Sequence, residues 1–194
     1  MKGKEFVKKI LEGERDFSRI KLEEYFICED DLQRELNIYL KLQKFENNPV
    51  ILNESELIGL NAILYMPNLQ AKKTNFLRSE LTCSYFEGAD FSEAIFLRAS
   101  LENTDFESAN LENANLIESN LEKSNFYHAN LRYANLFSAS IIKANFGEAD
   151  LTGANLKKAV VDVTNFNGAI LKNAKLAEIR GYLITEWLRG AIFE

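Results

Sequence analysis

From Thr74 to Glu178 a large apolar residue recurs at every fifth position, a period that fits neither a helix nor a strand. The centres run from Phe76, Leu81 and Phe86 through to Leu171 and Leu176, 21 units with no slip. Two residues before each centre, all 21 positions are Ala, Ser or Thr; one residue before, 13 of 21 are Asn or Asp. A fixed short period marks a stacked repeat. On extended backbone, residues two apart point to the same side. The small residue and the centre therefore face inward, while the polar residue between them and the two variable residues face out. Asn, Asp and Ser bend the backbone by bonding to nearby peptide groups, so each unit supplies one side and one corner. Four such units close a square coil of 20 residues.

That coil predicts correlations at an offset of 20. Phe86, Phe106, Phe126, Phe146 and Phe166 obey it, as do Asp90, Asn110, Asn130 and Asp150, and also Asn115, Asn135 and Asn155. Coils bonded like neighbouring strands are about 4.8 Å apart, so rings and amides can stack in ladders along a rod roughly 25 Å long. The interior is narrow: only Ala, Ser or Thr fits beside the neighbouring centre. The expected core is a solid stack of side chains with no pocket or channel, and the fold class is an all-β solenoid.

The units Ala109-Asn110-Leu111, Ala149-Asp150-Leu151 and Ala154-Asn155-Leu156 match A(D/N)LXX as written, and the pattern resembles the pentapeptide-repeat family over more than half of the sequence. The resemblance implies a right-handed quadrilateral β-helix; the handedness comes from the family and not from the spacing. Gly13-Glu14-Arg15-Asp16-Phe17 also looks like the opening of many cyanobacterial members. In some members the C-terminal region makes a dimer, so the resemblance leaves a homodimeric contact here open.

Outside the regular stretch the pattern changes. The expectation is one domain over 1–194, with an N-terminal capping helix at 4–12, a helical insertion at 29–48, irregular coils at 50–73, regular repeats at 74–178 and a C-terminal cap at 179–194. Phe6, Val7, Ile10 and Leu11 share one helical face, and Gly13 is a fitting stop. Phe17, Leu22 and Ile27 are five apart, and the repeat resumes at Leu52 and Leu57, which implies 20 inserted residues in the first coil. Those residues carry apolar stripes at helical spacing (Leu32, Leu36, Tyr39 and Leu40; Ile38, Leu42 and Phe45) before Asn47-Asn48-Pro49. Between 58 and 73, Leu64 and Leu69 are the expected centres, reached by two seven-residue steps. Ile179, Tyr182, Leu183, Trp187 and Leu188 fit an amphipathic helix from about 180 to 189.

The net charge of −6 argues against nucleic acid as a direct ligand. Cys28 and Cys83 suit neither a metal motif nor a disulfide framework. No sustained apolar run reads as a signal peptide or a membrane span, so a cytoplasmic location is expected. His128, the single histidine, stands in one column with Ser108 and Glu148. In a flat exposed row that trio has no pocket to exclude water and no oxyanion donors. No phosphate loop, cofactor motif or metal cluster is present, and the expectation is a protein without enzymatic activity.

One outward column is apolar: Leu77, Leu97, Ile117 and Phe137, ended by Lys157. Contiguous exposed apolar surface marks contact sites. Two readings follow, cover by the insertion helix (31–46) entering beside Leu52, or an external protein partner. Charge is also uneven: Glu80–Glu122 carries ten acidic residues against Arg98 alone, while Lys123–Glu178 has seven basic and four acidic. Glu87 with Glu107 and Glu102 with Glu122 are like-charge neighbours one coil apart. The expected function is a rigid scaffold or protein-protein interaction module. The alternative, implied by the resemblance, is a DNA-mimicking binder of DNA gyrase.

Overall fold

The computed structural model describes residues 1–22, 34–35, 38–39, 48–182 and 189–193. The repeat builds a square coil. The residue before each centre forms a parallel bridge to its counterpart one coil on, from Tyr65↔Tyr85 through Asn110↔Asn130 to Val160↔Arg180, always 20 residues apart. Each side contributes one bridged residue, so the solenoid is a stack of short bridged edges with corners between them.

The unit Ala109–Asn113 shows what favours the sequence pattern, because each of its five N–H groups has its own acceptor. Ala109 N–H closes the corner onto Phe106 O (3.0 Å), and Asn110 N–H reaches back to Ala89 O (2.8 Å). Leu111 N–H and Asn113 N–H reach forward to Asn130 O (2.7 Å) and Arg132 O (2.9 Å). Only Glu112 N–H lacks a backbone acceptor, and Asn110 Oδ1 takes it at 3.2 Å. An Asn or Asp at the middle position is thus the side chain that completes the backbone accounting. The same bond recurs at Ile117, Tyr127 and Phe137, each donating to the side chain two residues earlier.

Asn also has an N–H to give. Asn125 donates to Asp105, Asn145 to Asn125 and Asn165 to Asn145, at 3.0, 3.0 and 2.7 Å. A second ladder runs from Asn130 to Asn110 to Asp90. In both, the later coil donates to the earlier one. Asp cannot donate when ionised, and Asp90 and Asp105 stand at the accepting start. Asp150 stands at the donating end and is met instead by Arg132 at 2.9 Å.

The second corner residue has positive φ throughout, at 54° for Asn103 and 59° for Val163. This left-handed conformation normally favours Gly or Asn. Here Arg, Lys, Glu and even the β-branched Val163 adopt it, held by the forward bond from their own N–H.

Inside, the centres stack in columns. Phe106, Phe126 and Phe146 are fully buried, with successive centroids 5.0 and 4.7 Å apart and rings within 6° of parallel. Phe86 tilts by 32° against Phe106, because Phe91 meets it edge-on at 5.1 Å.

In the irregular segment the structure corrects the expected register. The bridged residues are Ile51, Glu56, Asn61, Tyr65, Gln70 and Asn75, which makes the centres Ala62, Met66 and Ala71. Leu60, Leu64 and Leu69 fill the position reserved elsewhere for Ala, Ser or Thr, and all are buried. At Leu60/Ala62 and Leu69/Ala71 large and small have exchanged places, whereas Leu64 and Met66 are both large. There is no seven-residue step. The corner between Ala62 and Met66 is one residue short, giving bridges 19 apart such as Ile51↔Gln70.

The first coil is longer than the rest. Asp16↔Ile51 and Lys21↔Glu56 are each 35 residues apart, fifteen more than a regular coil and not the twenty expected. Of the insertion at 29–48, Arg34, Glu35, Ile38 and Tyr39 are helical; most of the remainder lies outside the described residues, as does Cys28. Helix α1 (Gly3–Leu11) agrees with the expected 4–12 within a residue and buries Phe6, Val7 and Ile10 in the solenoid's core cluster. Phe6 meets Phe17 edge-on at 4.8 Å. Gly13 (φ +100°) ends the helix, with its N–H on Ile10 O and that of Glu14 on Lys9 O, the paired bonds of a Schellman motif.

At the other end, Arg180 still bridges Val160, and Gly181 and Tyr182 are not helical. Residues 183–188, the greater part of the expected C-terminal helix, lie outside the described residues. The backbone then rejoins the coil, with Ile192 bridging Ile170.

Candidate interaction surface

The column expected from the sequence is present at one corner. Backbone bonds from Arg78 to Leu97, Arg98 to Ile117 and Glu118 to Phe137 hold its members in consecutive coils at 3.0, 2.9 and 3.0 Å. Leu77, Leu97, Ile117 and Phe137 are each half-buried, packed by their neighbours along the column and open outward. The corrected register adds a fifth member, Ile58, whose neighbour Gly59 donates to Leu77 O; it is 45% exposed. Sequence reasoning missed Ile58 because it stands 19 residues before Leu77 and not 20. The column ends at Lys157, and Lys158 places its ammonium 5.5 Å from the centre of the Phe137 ring.

Leu52 does not share a face with Phe76: Ile51 bridges Gln70, so Leu52 shares the face of Ala71. Leu22 is the residue that shares the Phe76 face, through Lys21↔Glu56↔Asn75. Leu22, the last described residue before the insertion, thus lies on the side of the coil that leads into the apolar column. Its described part meets Arg15, whose Nη2 donates to the Tyr39 hydroxyl at 2.9 Å beneath the edge of the first coil. Cover of Leu77 by the rest of the insertion falls outside the described residues.

The acidic stretch is less bare than its composition suggests. Glu102 pairs with Lys123 at 2.8 Å, Glu118 with Arg98 at 2.6 Å, and Glu93 with Lys72 and Lys73 at 3.6 and 3.5 Å. Hydrogen bonding and charge attraction from Lys123 hold the Glu102 carboxyl below its ordinary value. The expected repulsion between Glu102 and Glu122 is relieved by Lys123, which both carboxylates attract. Tyr85 bonds Glu87 through its hydroxyl and stacks on Tyr65 at 4.6 Å; burial, then Glu87, pushes its phenol well up.

Ser108, His128 and Glu148 occupy one exposed corner row, each at the positive-φ position. The His128 ring leans on Tyr127 at 4.0 Å. Among the described residues no three His, Cys, Asp or Glu side chains group to hold a metal, and no helix is long and apolar enough to cross a membrane. At the far end of the solenoid, an apolar hollow of about 170 Å³ lies among Leu156, Val161, Phe166, Leu171, Leu176, Ile179 and Phe193.

A family model described as a pentapeptide repeat region matches residues 79–166. Residues 79–166 are a pentapeptide repeat region. The fold of that family is a right-handed quadrilateral β-helix, and the square coil with its 20-residue bridges agrees with it. A search of curated proteins finds no match. Among solved structures, a pentapeptide repeat protein from the thylakoid lumen of Arabidopsis thaliana is 27% identical with a TM-score of 0.38. That match covers 46% of this chain and 66% of the other, just under two thirds of the relative's length. A pentapeptide repeat protein from the cyanobacterium Cyanothece 51142 is 23% identical over 83% of this chain and 99% of that one, with a TM-score of 0.37. QnrB1, a plasmid-mediated fluoroquinolone resistance protein, is 18% identical over 93% and 90%, with a TM-score of 0.38. At these scores the likenesses say nothing of what this protein binds.

Proposed function

We propose that the protein is a non-enzymatic, rigid protein-protein interaction module whose contact surface is the corner column Leu77, Leu97, Ile117 and Phe137, extended by Ile58. One observation carries this reading: the column is contiguous, apolar and open outward on a scaffold whose other corners are polar or mixed. The solenoid suits the role because the centres beneath the column are fully buried and each coil is bonded to the next, so a surface spaced by the coil repeat is held without a hinge. Helix α1 closes the first coil in this reading, as the ends of a stacked repeat require.

The test replaces Ile117 and Phe137 with Glu. The fold should survive, judged by circular dichroism, while a partner captured from the native host by the unaltered protein is lost. Retention of that partner, or collapse of the fold, overturns the assignment. The gyrase-binding alternative gains no support from the ion pairs. A DNA mimic needs uncompensated negative charge, and Glu93, Glu102 and Glu118 all face cations. A supercoiling assay with purified gyrase separates the two; inhibition at micromolar protein would favour mimicry.

A further inference from the structure

The sequence has one Asn-Gly pair, Asn167-Gly168, and it forms the exposed corner of the coil against which residues 189–193 are laid. We propose that Asn167 is a latent deamidation site held shut by the backbone of Arg189.

The chemistry needs two groups to meet. The Gly168 backbone nitrogen, once it has given its proton to a base in solvent, attacks Cγ of Asn167. A new C–N bond forms, the bond from Cγ to Nδ2 breaks, and ammonia leaves. Water then opens the five-membered succinimide at either carbonyl and leaves Asp or isoAsp. One water is consumed and one ammonia released, with no change of oxidation state. A Gly at the second position favours the closure, because no Cβ crowds the ring.

Both reacting groups are engaged by one residue. Gly168 N–H donates to Arg189 O at 2.9 Å, which keeps the proton on the nucleophile. Arg189 N–H donates to Asn167 Oδ1 at 3.2 Å, which fixes the orientation of the side-chain amide. The carboxylate of Glu148 lies against Gly168, so close that a Cβ there would meet its Oε1 at 2.5 Å, and this negative charge further disfavours loss of the amide proton. Asn167 itself is fixed from the coil below, where Glu148 N–H donates to its carbonyl at 2.9 Å.

The clamp is the last edge of the stack among the described residues. Beyond Arg189 it is secured by Ile192 N–H to Ala169 O (2.9 Å) and Leu171 N–H to Ile192 O (2.6 Å), but Ile192 and Phe193 are each about half exposed. A half-exposed terminal edge opens locally at lower free energy than the interior coils. Each opening frees both reacting groups at once, so the rate of deamidation follows the open fraction. The isoAsp product adds one carbon to the backbone, so the bonds from Glu148 and to Arg189 no longer fit together. The reaction is therefore a one-way latch that leaves the last edge unpaired.

The test incubates the full-length protein in mildly alkaline buffer at physiological temperature and follows Asn167 by peptide mapping, with a synthetic peptide of residues 161–172 as reference. The intact protein is expected to convert at least about tenfold more slowly than the peptide, the factor set by local opening. Arg189→Pro with Ile192→Pro removes two of the clamp's donors and should bring the rate to that of the peptide. Hydrogen exchange at Gly168 in the unaltered protein reads the clamp without any substitution, and protection is expected. Equal rates in protein and peptide, an unchanged rate in the double variant, or free exchange at Gly168 would each overturn the proposal.

Discussion

Replacing Phe126 with Leu isolates what ring stacking contributes, because Leu already occupies the equivalent centre at Leu121 and Leu131 and fits the same backbone. Phe126 lies between Phe106 and Phe146, at 5.0 and 4.7 Å and nearly parallel to both. An aromatic pair contributes about 0.5–1.5 kcal/mol beyond its buried area, so removing both contacts should cost about 1–3 kcal/mol. Phe126→Ala adds a cavity and should cost about 3–5 kcal/mol in all. The assay is denaturant unfolding of the Leu variants at 126 and 146, alone and together. If stacking is the source, the double variant loses less than the sum of the singles by about 0.5–1.5 kcal/mol. Phe166 lies two coils from Phe126, so the 126/166 pair should be additive within about 0.5 kcal/mol. A coupling at 126/146 no larger than that at 126/166 would refute the stacking argument and leave only burial.

The amide ladder has a direction that stability measurements can read. Asn145→Asp removes the donor to Asn125 and should cost about 1 kcal/mol, whereas Asp105→Asn, at the accepting start, should change stability by less than about 0.5 kcal/mol. Val163→Gly should stabilise by about 1 kcal/mol in thermal unfolding, since a β-branched residue at φ 59° bears the left-handed cost that glycine does not. Burial raises the Asp150 carboxyl, but Thr152 and Arg132 outweigh it and hold it below its ordinary value. Its contribution is therefore complete above the unfolded carboxyl range near pH ~4 and is lost as pH falls through the folded value. Asp150→Asn should flatten that part of an acid unfolding curve.

The regular coils were legible because two signals coincide there: which residues point inward, and which of them is large. Only the first is required by the geometry. At Leu60-Asn61-Ala62 and Leu69-Gln70-Ala71 the sizes are exchanged, and at Leu64-Tyr65-Met66 both inward residues are large, so a search for large centres lands two residues early and then needs seven-residue steps to recover. The same slip hid Ile58 and misplaced Leu52. The inserted length was misjudged because Phe17 and Leu22 fix the first coil through bridges to partners 35 residues away, which no local spacing announces. The apolar column was readable as a surface feature, since outwardness follows from parity along each side. The ion pairs that offset the acidic stretch were not, because Lys72, Lys73 and Lys123 reach it from outside the run of sequence that defines it.

The one-way amide ladder bears on how the protein is made. A coil leaving the ribosome finds beneath it a finished edge whose Asn oxygens are already in place, and each new Asn brings the hydrogen that fits them. At a synthesis rate of about 5–20 residues per second, one coil arrives every few seconds, far slower than a short loop closes. Assembly can then proceed as vectorial templating, with each turn complete on its lower side before the next emerges and a single growing edge exposed throughout.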